Sequence, residues 1–244
     1  MSILKIKKFK KHFDAVKAVS GVDFNIERNK ITGLVGPNGS GKSTLINLIT
    51  GVVPKDDGIF IISDDVEISN INPYDMKDFS ITRTFQNVRV FEQMSLLENI
   101  MVVLTHRNIW GSLFEKNKKI YEDRADDVLK RVGLNEKKDE LAMNLSYGQR
   151  KLLEIGRAIA MDVNVILFDE PYAGLFPEMV KQVSGILKEL RDEGKAVVLV
   201  EHNMDIIRDL CDYLVVLDSG EVLAEGDPEE VLSRRNVVEA YLGE

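Results

Sequence analysis

Cysteine is all but absent: one residue, Cys211, in 244. It has no partner for a disulfide within its own chain, and cytosolic residence fits. Its place in an apolar helical stretch reads as a buried thiol. Long hydrophobic runs are missing too. No apolar stretch approaches the roughly 20 residues that a membrane-crossing helix needs. No secretory or transit leader is expected, because Met1-Ser2-Ile3 leads straight into Leu4-Lys5-Ile6-Lys7-Lys8-Phe9, which alternates like a strand. Excess positive charge is lacking: the formal net charge is −8, which argues against general nucleic-acid binding and leaves room only for a local basic patch. Internal repeats and low-complexity tracts are absent as well. What remains is a hydrophobic content of 44% and a length that suits one α/β domain with a full core and a small attached subdomain.

The stretch Gly36-Pro37-Asn38-Gly39-Ser40-Gly41-Lys42-Ser43 organises the chain. It follows the apolar run Ile31–Val35 and precedes Thr44–Ile49, which alternates polar and apolar at helical spacing. Strand, glycine-rich turn and helix form the context that a phosphate-binding loop needs. Gly36, Gly39 and Gly41 let the backbone curl until several N–H groups converge on a polyphosphate, and the helix starting near Lys42 aims its positive end there. Lys42 is expected to reach the β and γ phosphates, and the Ser43 hydroxyl to take a magnesium site. A flexible glycine turn is the bland alternative.

Strands are expected at Ile3–Phe9, Gly21–Ile26, Ile31–Val35, Ile59–Ile62 and Ile81–Phe85, the last ending at Gln86, with a short helix opening at Pro73–Phe79. Phe13, ahead of the phosphate loop, is a candidate for stacking on an adenine ring, against ordinary core packing. From Ser95 the pattern turns helical, and Glu98 three residues on makes a capping box. Thr105–Lys119 reads as polar and irregular, its Lys116, Lys118 and Lys119 as a solvated face. Tyr121–Val132 is helical up to Gly133. Leu145-Ser146-Tyr147-Gly148-Gln149 precedes a helix over Arg150–Met161. Val165–Phe168 is an apolar strand ending in Asp169-Glu170, Pro177–Arg191 a helix, and Ala196–Val200 a strand ending in Glu201-His202. Tyr213–Leu217 and Glu221–Ala224 flank a hairpin turn, and helices from Pro228 and Asn236 close the chain. Apolar strands separated by helices predict a mostly parallel sheet covered on both faces.

An apolar strand delivering adjacent carboxylates suits a metal-dependent triphosphate hydrolase. Strand alternation would send the two acids in different directions: Asp169 to hold magnesium through water, Glu170 to face the water attacking the γ-phosphate. Backbone N–H groups, Lys42 and magnesium would neutralise the phosphoryl oxygens. Gln86 and His202 both follow apolar strands, beyond whose carboxyl ends ligands bind in open α/β sheets. Gln86 is a candidate for touching the metal or the water, and His202 for donating to the γ-phosphate. A surface acidic pair and a packed or capping histidine are the alternatives.

Taken together, these motifs resemble the nucleotide-binding subunit of an ABC transporter over essentially all 244 residues. Gly36–Ser43 matches the phosphate loop, Gln86 the Q-loop, Leu145–Gln149 the signature, Val165–Glu170 the second nucleotide motif, Ala173-Gly174-Leu175 the D-loop region and His202 the switch histidine. The resemblance implies a phosphate-loop ATPase fold. A mostly parallel core over 1–86 and 151–244 would carry antiparallel β elements, and 87–150 would be an inserted helical subdomain. It implies ATP and Mg2+ as cofactors. Nucleotide contacts would come from Phe13, the loop Gly36 to Ser43, Thr44, Ser146, Gly148 and Gln149, and metal contacts from Ser43, Gln86 and Asp169. Glu170, His202, Gln86 and Lys42 would serve catalysis. Two such domains would pair head to tail, so that Ser146 and the Gly148 backbone reach the γ-phosphate of the other copy. Two membrane-spanning permeases are implied as partners, with the chain peripheral at the cytoplasmic face of the membrane and no nucleic acid involved.

Thr84–Phe91, Met94–Asn99, Glu201–Met204 and the ending Ala240–Glu244 are similar to the branched-chain amino acid importer ATPases, most of all the first of their two ATPases. That kinship implies a second ATPase subunit, two permeases and, indirectly, an extracytoplasmic solute-binding protein. Importers of urea, amides or other amino acids, and lipid or lipopolysaccharide exporters, are the alternatives. A soluble ABC protein acting on nucleic acid or ribosomes lacks its coiled coils or second cassette here. Two positions depart from the family pattern: Tyr147 stands where glycine is common, and Phe176 where asparagine or aspartate is usual. The stretch Trp110–Lys119 lacks a clear match to the longer linker of many relatives.

Overall fold

The computed structural model describes residues 2–63, 65–104 and 115–242, the side chains of 115–118 and 242 apart. Contacts divide the chain into two compact units: Met1–Arg83 with Asn164–Glu170 and Leu187–Glu244, and Thr84–Val163 with Pro171–Ile186. The helical block expected at 87–150 lies inside the second unit, which also takes 84–86, 151–163 and 171–186.

The first unit holds two sheets. β1 (Ser2–Phe13) and β2 (Val16–Glu27) form a long antiparallel hairpin, and β4 (Asp57–Ile62) and β5 (Val66–Ile68) complete a four-stranded sheet in the order β2-β1-β4-β5. The second sheet runs β10-β9-β3-β8-β7-β6. Its central strands β3 (Lys30–Val35), β8 (Ala196–Val200), β7 (Val165–Asp169) and β6 (Ile81–Arg83) pair in parallel, as does β9 (Tyr213–Asp218) with β3. Only β10 (Glu221–Gly226) is antiparallel, at the edge. Every residue of β7 and β8 is buried, which is why they read as unbroken apolar runs rather than alternating ones. One core joins the sheets to α1 (Lys42–Ile49), with Phe9 edge-on to Phe60 at 4.8 Å between centroids. Cys211 is buried beyond α6 (Met204–Leu210), and desolvation pushes its thiol up to about 12, so it stays protonated. Helices α7 (Pro228–Ser233) and α8 (Arg235–Leu242) end the chain.

The second unit carries α2 (Leu96–Leu104), α3 (Glu115–Arg131), α4 (Tyr147–Ala160) and the first turns of α5 (Pro177–Asp192). The Ser95–Glu98 capping box forms as expected: Glu98 N–H donates to Ser95 Oγ at 3.1 Å, and Ser95 N–H to Glu98 Oε2 at 2.8 Å.

Three expectations change. Residues 73–80 form successive turns, not a helix. Asp75 O accepts from both Asp78 N–H and Phe79 N–H, and Ser80 with φ 59° then reverses the chain into β6. β6 stops at Arg83, leaving Gln86 three residues beyond the strand. The polar stretch expected at 105–119 is helical from Glu115 onward, its remainder at 105–114 lying outside the described residues, as does most of the stretch from Trp110. The cationic side chains of Lys116 and Lys118 lie outside the description too. Among the described residues no helix is long and apolar enough to cross a membrane.

Candidate active site

β3 delivers the glycine loop. Gly36 sits at φ 151°, and a Cβ there would stand 2.1 Å from the Leu217 carbonyl oxygen, so no other residue fits. The loop ends at Gly41, the N-cap of α1, where no side chain caps the first-turn N–H groups. Unclaimed N–H groups at a helix start are what an anion binds. Lys42 is buried and folds back over its own loop, donating from Nζ to Gly36 O at 2.8 Å and Pro37 O at 2.9 Å. Desolvation lowers its pKa, and Glu170 and Asp169 pull the other way. Asn38, Gly39 and Ser43 are exposed, Pro37 and Thr44 half-buried, and Ser40 buried. The β9–β10 turn props the loop: Gly220 N–H donates to Ser40 O at 3.0 Å. Tyr241, near the end of α8, accepts from the Gly36 backbone, while burial pushes its phenol up to about 12.

Asp169 is the last residue of β7 and is buried. Its Oδ2 accepts from Arg83 Nη2 at 3.0 Å. Glu170 leaves the strand altogether, at φ 48° with its N–H donated to Val200 O at 3.0 Å. The two acids therefore diverge because Glu170 adopts a left-handed backbone, and not through strand alternation. A left-handed glutamate stores local strain, which this position retains. Glu170 Oε1 lies 2.7 Å from His202 Nε2, within hydrogen-bond reach. Lys42, Asp169, Glu170 and His202 all belong to the first unit. Phe13, at the tip of the β1–β2 hairpin, is 45% exposed with Lys11 Nζ 5.4 Å from its ring centre; it is no core residue. Ser43 and Asp169 offer oxygen donors of the kind a hard divalent cation takes. Among the described residues no three His, Cys, Asp or Glu side chains are grouped to hold a metal ion.

Gln86, Ser146, Gly148 and Gln149 belong to the second unit. α4 begins earlier than the periodicity suggests, at Tyr147, because Ser146 and Gln149 make a reciprocal capping box: Gln149 N–H donates to Ser146 Oγ at 3.3 Å and Ser146 N–H to Gln149 Oε1 at 3.1 Å. Gly148 packs so closely on α5 that a Cβ would meet Met179 Sδ at 2.5 Å. The Tyr147 ring lies beside Gly174, and Phe176 is 77% exposed. Further along, α4 grips the backbone around Gln86. Lys151 Nζ donates to Gln86 O at 3.3 Å, Glu154 Oε1 accepts from Phe85 and Arg89 N–H at 3.2 and 3.3 Å, and Arg157 donates to Arg89 O. Sequence reasoning missed Arg83, Lys151, Glu154 and the second capping box. The signals were there: a cation within the run Ile81–Phe85, charges on the buried face of a helix, and Ser-x-x-Gln ahead of an apolar pattern.

A model of the ABC transporter family matches residues 19–173, and one described as branched-chain amino acid ATP-binding cassette transporter matches residues 221–244. LivG of Methanocaldococcus jannaschii, a probable branched-chain amino acid transport ATP-binding protein, is 36% identical over 254 residues, spanning 100% of this chain and 98% of that protein. BraF of Pseudomonas aeruginosa, a high-affinity branched-chain amino acid transport ATP-binding protein, is 33% identical over 252 residues, with 99% and 98% covered. LptB of Haemophilus influenzae, a lipopolysaccharide export system ATP-binding protein, is 33% identical over 244 residues, with 100% and 98% covered. A nucleotide-free ATP-binding cassette from an ABC transporter superposes with a TM-score of 0.87 at 34% identity, over 100% of both chains. The ADP conformation of an ABC transporter cassette gives 0.86 at 34%, again over 100% of both. The chain belongs to the ABC transporter family, as an ATP-binding, ATP-hydrolysing subunit.

Proposed function

We propose that the chain powers an importer of branched-chain amino acids. It would be one of a pair of ATPase subunits, peripheral at the cytoplasmic face of the membrane. It would act with two permeases and, indirectly, an extracytoplasmic solute-binding protein. The cargo rests on one observation, the match of residues 221–244 to the branched-chain family model. The similarity to LivG and BraF supports it.

ATP binds with its phosphates in the loop Gly36–Ser43 and its adenine against Phe13. Lys42, already desolvated, exchanges the Gly36 and Pro37 carbonyls for β and γ phosphate oxygens. Glu170 orients the attacking water and takes its proton, and His202, whose ring holds the Glu170 carboxylate, also faces the γ-phosphate. Gln86 would touch the metal or the attacking water. Ser146 and the Gly148 N–H, at the start of α4, serve the γ-phosphate of the other copy. Ser43 and Asp169, with help from Gln86, would hold Mg2+, which would supply charge neutralisation for the phosphoryl oxygens. Closure of the pair on ATP, and reopening after hydrolysis, is the stroke passed to the permeases.

The similarity to LptB favours a second reading, an exporter of lipid or lipopolysaccharide. Kinship also leaves urea or amide importers. Affinity isolation from gently solubilised membranes with peptide identification separates these readings. Two permeases, a second ATPase and a solute-binding protein are expected, and that binding protein should take leucine, isoleucine or valine over urea. Recovery of exporter partners, or of no membrane protein, removes the importer reading.

A further inference from the structure

The Arg83 side chain lies between two parts of the site that are far apart in sequence. It is almost wholly enclosed, its side chain 8% exposed against 10% for Asp169. One arm of its guanidinium, Nη2, donates to Asp169 Oδ2 at 3.0 Å. The other, Nη1, donates to Asn47 Oδ1 at 2.7 Å and lies 3.3 Å from Thr50 Oγ1. Thr50 is itself fixed, its hydroxyl donating to Ile46 O at 2.8 Å. Asn47 lies in α1, the helix that begins with Lys42 and Ser43. A planar fork with arms on a helix and on a strand-end carboxylate fixes their mutual placement in a way a lysine point charge does not.

We propose that Arg83 is a positioning residue for the metal end of the nucleotide site: by tying Asp169 to α1 it sets the spacing between Asp169 and Ser43. The inference rests on the assignment of those two residues to magnesium made above. Arg83 sets its positive charge against Asp169 Oδ2 at 3.0 Å. It also holds the carboxylate's rotamer. The consequence is selective. Loss of the fork weakens retention of the divalent ion and leaves the phosphate loop's hold on nucleotide alone, because the fork ends on Asp169 and on Asn47 in the second turn of α1, past the loop Gly36–Ser43. Outer partners of metal ligands commonly tune metal affinity by about ten- to a hundred-fold.

The test uses the full chain, with Mn2+ as the probe in place of magnesium. Free and bound Mn2+ are read by electron paramagnetic resonance in the presence of saturating ATP, in a Glu170→Gln background that prevents turnover. Binding of a fluorescent ATP analogue in EDTA is measured in parallel. Arg83→Lys is expected to weaken Mn2+ retention about ten-fold while binding the analogue in EDTA as the parent does. Asn47→Ala, which weakens the helix arm to its Thr50 contact and spares the ion pair, should shift Mn2+ in the same direction by less. It also keeps the question answerable if Arg83→Lys does not fold. Unchanged Mn2+ retention in both folded variants, alongside a clear loss in Asp169→Asn, overturns the role of Arg83 alone. Unchanged retention in Asp169→Asn overturns the metal assignment beneath it as well. Equal loss of analogue binding in EDTA would make Arg83 a brace for the phosphate loop, and that too overturns the proposal.

Discussion

Glu170 carries the sharpest residue-scale expectation. Its carboxylate is placed by a left-handed backbone and by His202 Nε2 at 2.7 Å, an arrangement that orients a base rather than buries an acid. Glu170→Gln keeps size and the hydrogen bond to His202 while removing the basic oxygen. ATP binding should persist while single-turnover hydrolysis falls by about a hundred- to ten-thousand-fold. Unaltered turnover would remove Glu170 as the base. Glu170 stood out as a candidate in the sequence, because two acids after the apolar run Val165–Phe168 follow a phosphate loop. Its geometry did not: strand alternation accounts for neighbours that share a strand, and nothing local in Phe168-Asp169-Glu170-Pro171 announces that the second acid leaves it. Arg83 was hidden for another reason. Its partners Asn47 and Asp169 come from elements 36 and 86 residues away, and only tertiary packing brings them together.

At the scale of the element, α4 joins two tasks. Its start is the Ser146–Gln149 capping box, and its middle holds the backbone of Phe85, Gln86 and Arg89 through Lys151, Glu154 and Arg157. Ser146→Ala should cost about 1 kcal/mol of stability through the lost cap, read by denaturant unfolding of the isolated chain. It should cost hydrolysis separately, wherever the residue serves the other copy. Glu154 offers a pH test. Burial raises its carboxyl above the usual range, outweighing the N–H groups of Phe85 and Arg89 and the attraction of Lys151 and Arg157. A group whose folded pKa is raised stabilises the fold most when protonated. That contribution fades as pH climbs through the ordinary carboxylate range to the raised folded value. Glutamine stays neutral throughout, so Glu154→Gln should gain melting temperature relative to the parent as pH rises above the ordinary carboxylate range. A parent that gains instead would show that ion pairing with Lys151 and Arg157 outweighs burial. The sequence announced α2 and its Ser95 cap but started α4 three residues late. Tyr147, Gly148 and Gln149 break the apolar periodicity, and the helix is begun by its cap and not by its buried face.

For the whole molecule, a mostly parallel sheet was legible from apolar strands alternating with helices, since strands buried on both faces show themselves by composition; its order β9-β3-β8-β7-β6 comes from the structure. The turns at 73–80 were not legible, because a polar segment with helical spacing but without continued bonding looks like a helix in one dimension. The proposal that loop and signature serve different copies is the claim most exposed to experiment. Lys42→Ala removes the loop's cation and leaves Ser146 intact; Ser146→Arg does the reverse. Each variant alone should hydrolyse ATP at background, since both sites of a like pair are damaged. Mixed at concentrations where the copies associate, half the pairs carry one variant of each kind. Such a pair contains one site with an intact Lys42 from one copy and an intact Ser146 from the other. Recovery to about a quarter of the parent rate is expected, for isologous pairing with random exchange. The rate should peak at equal mixing and vanish if the Ser146→Arg variant, the copy that supplies Lys42, also carries Glu170→Gln. No recovery at any ratio, with both variants folded and pairing, would mean that each copy completes its own site, and the head-to-tail reading of Ser146 and Gly148 would fall.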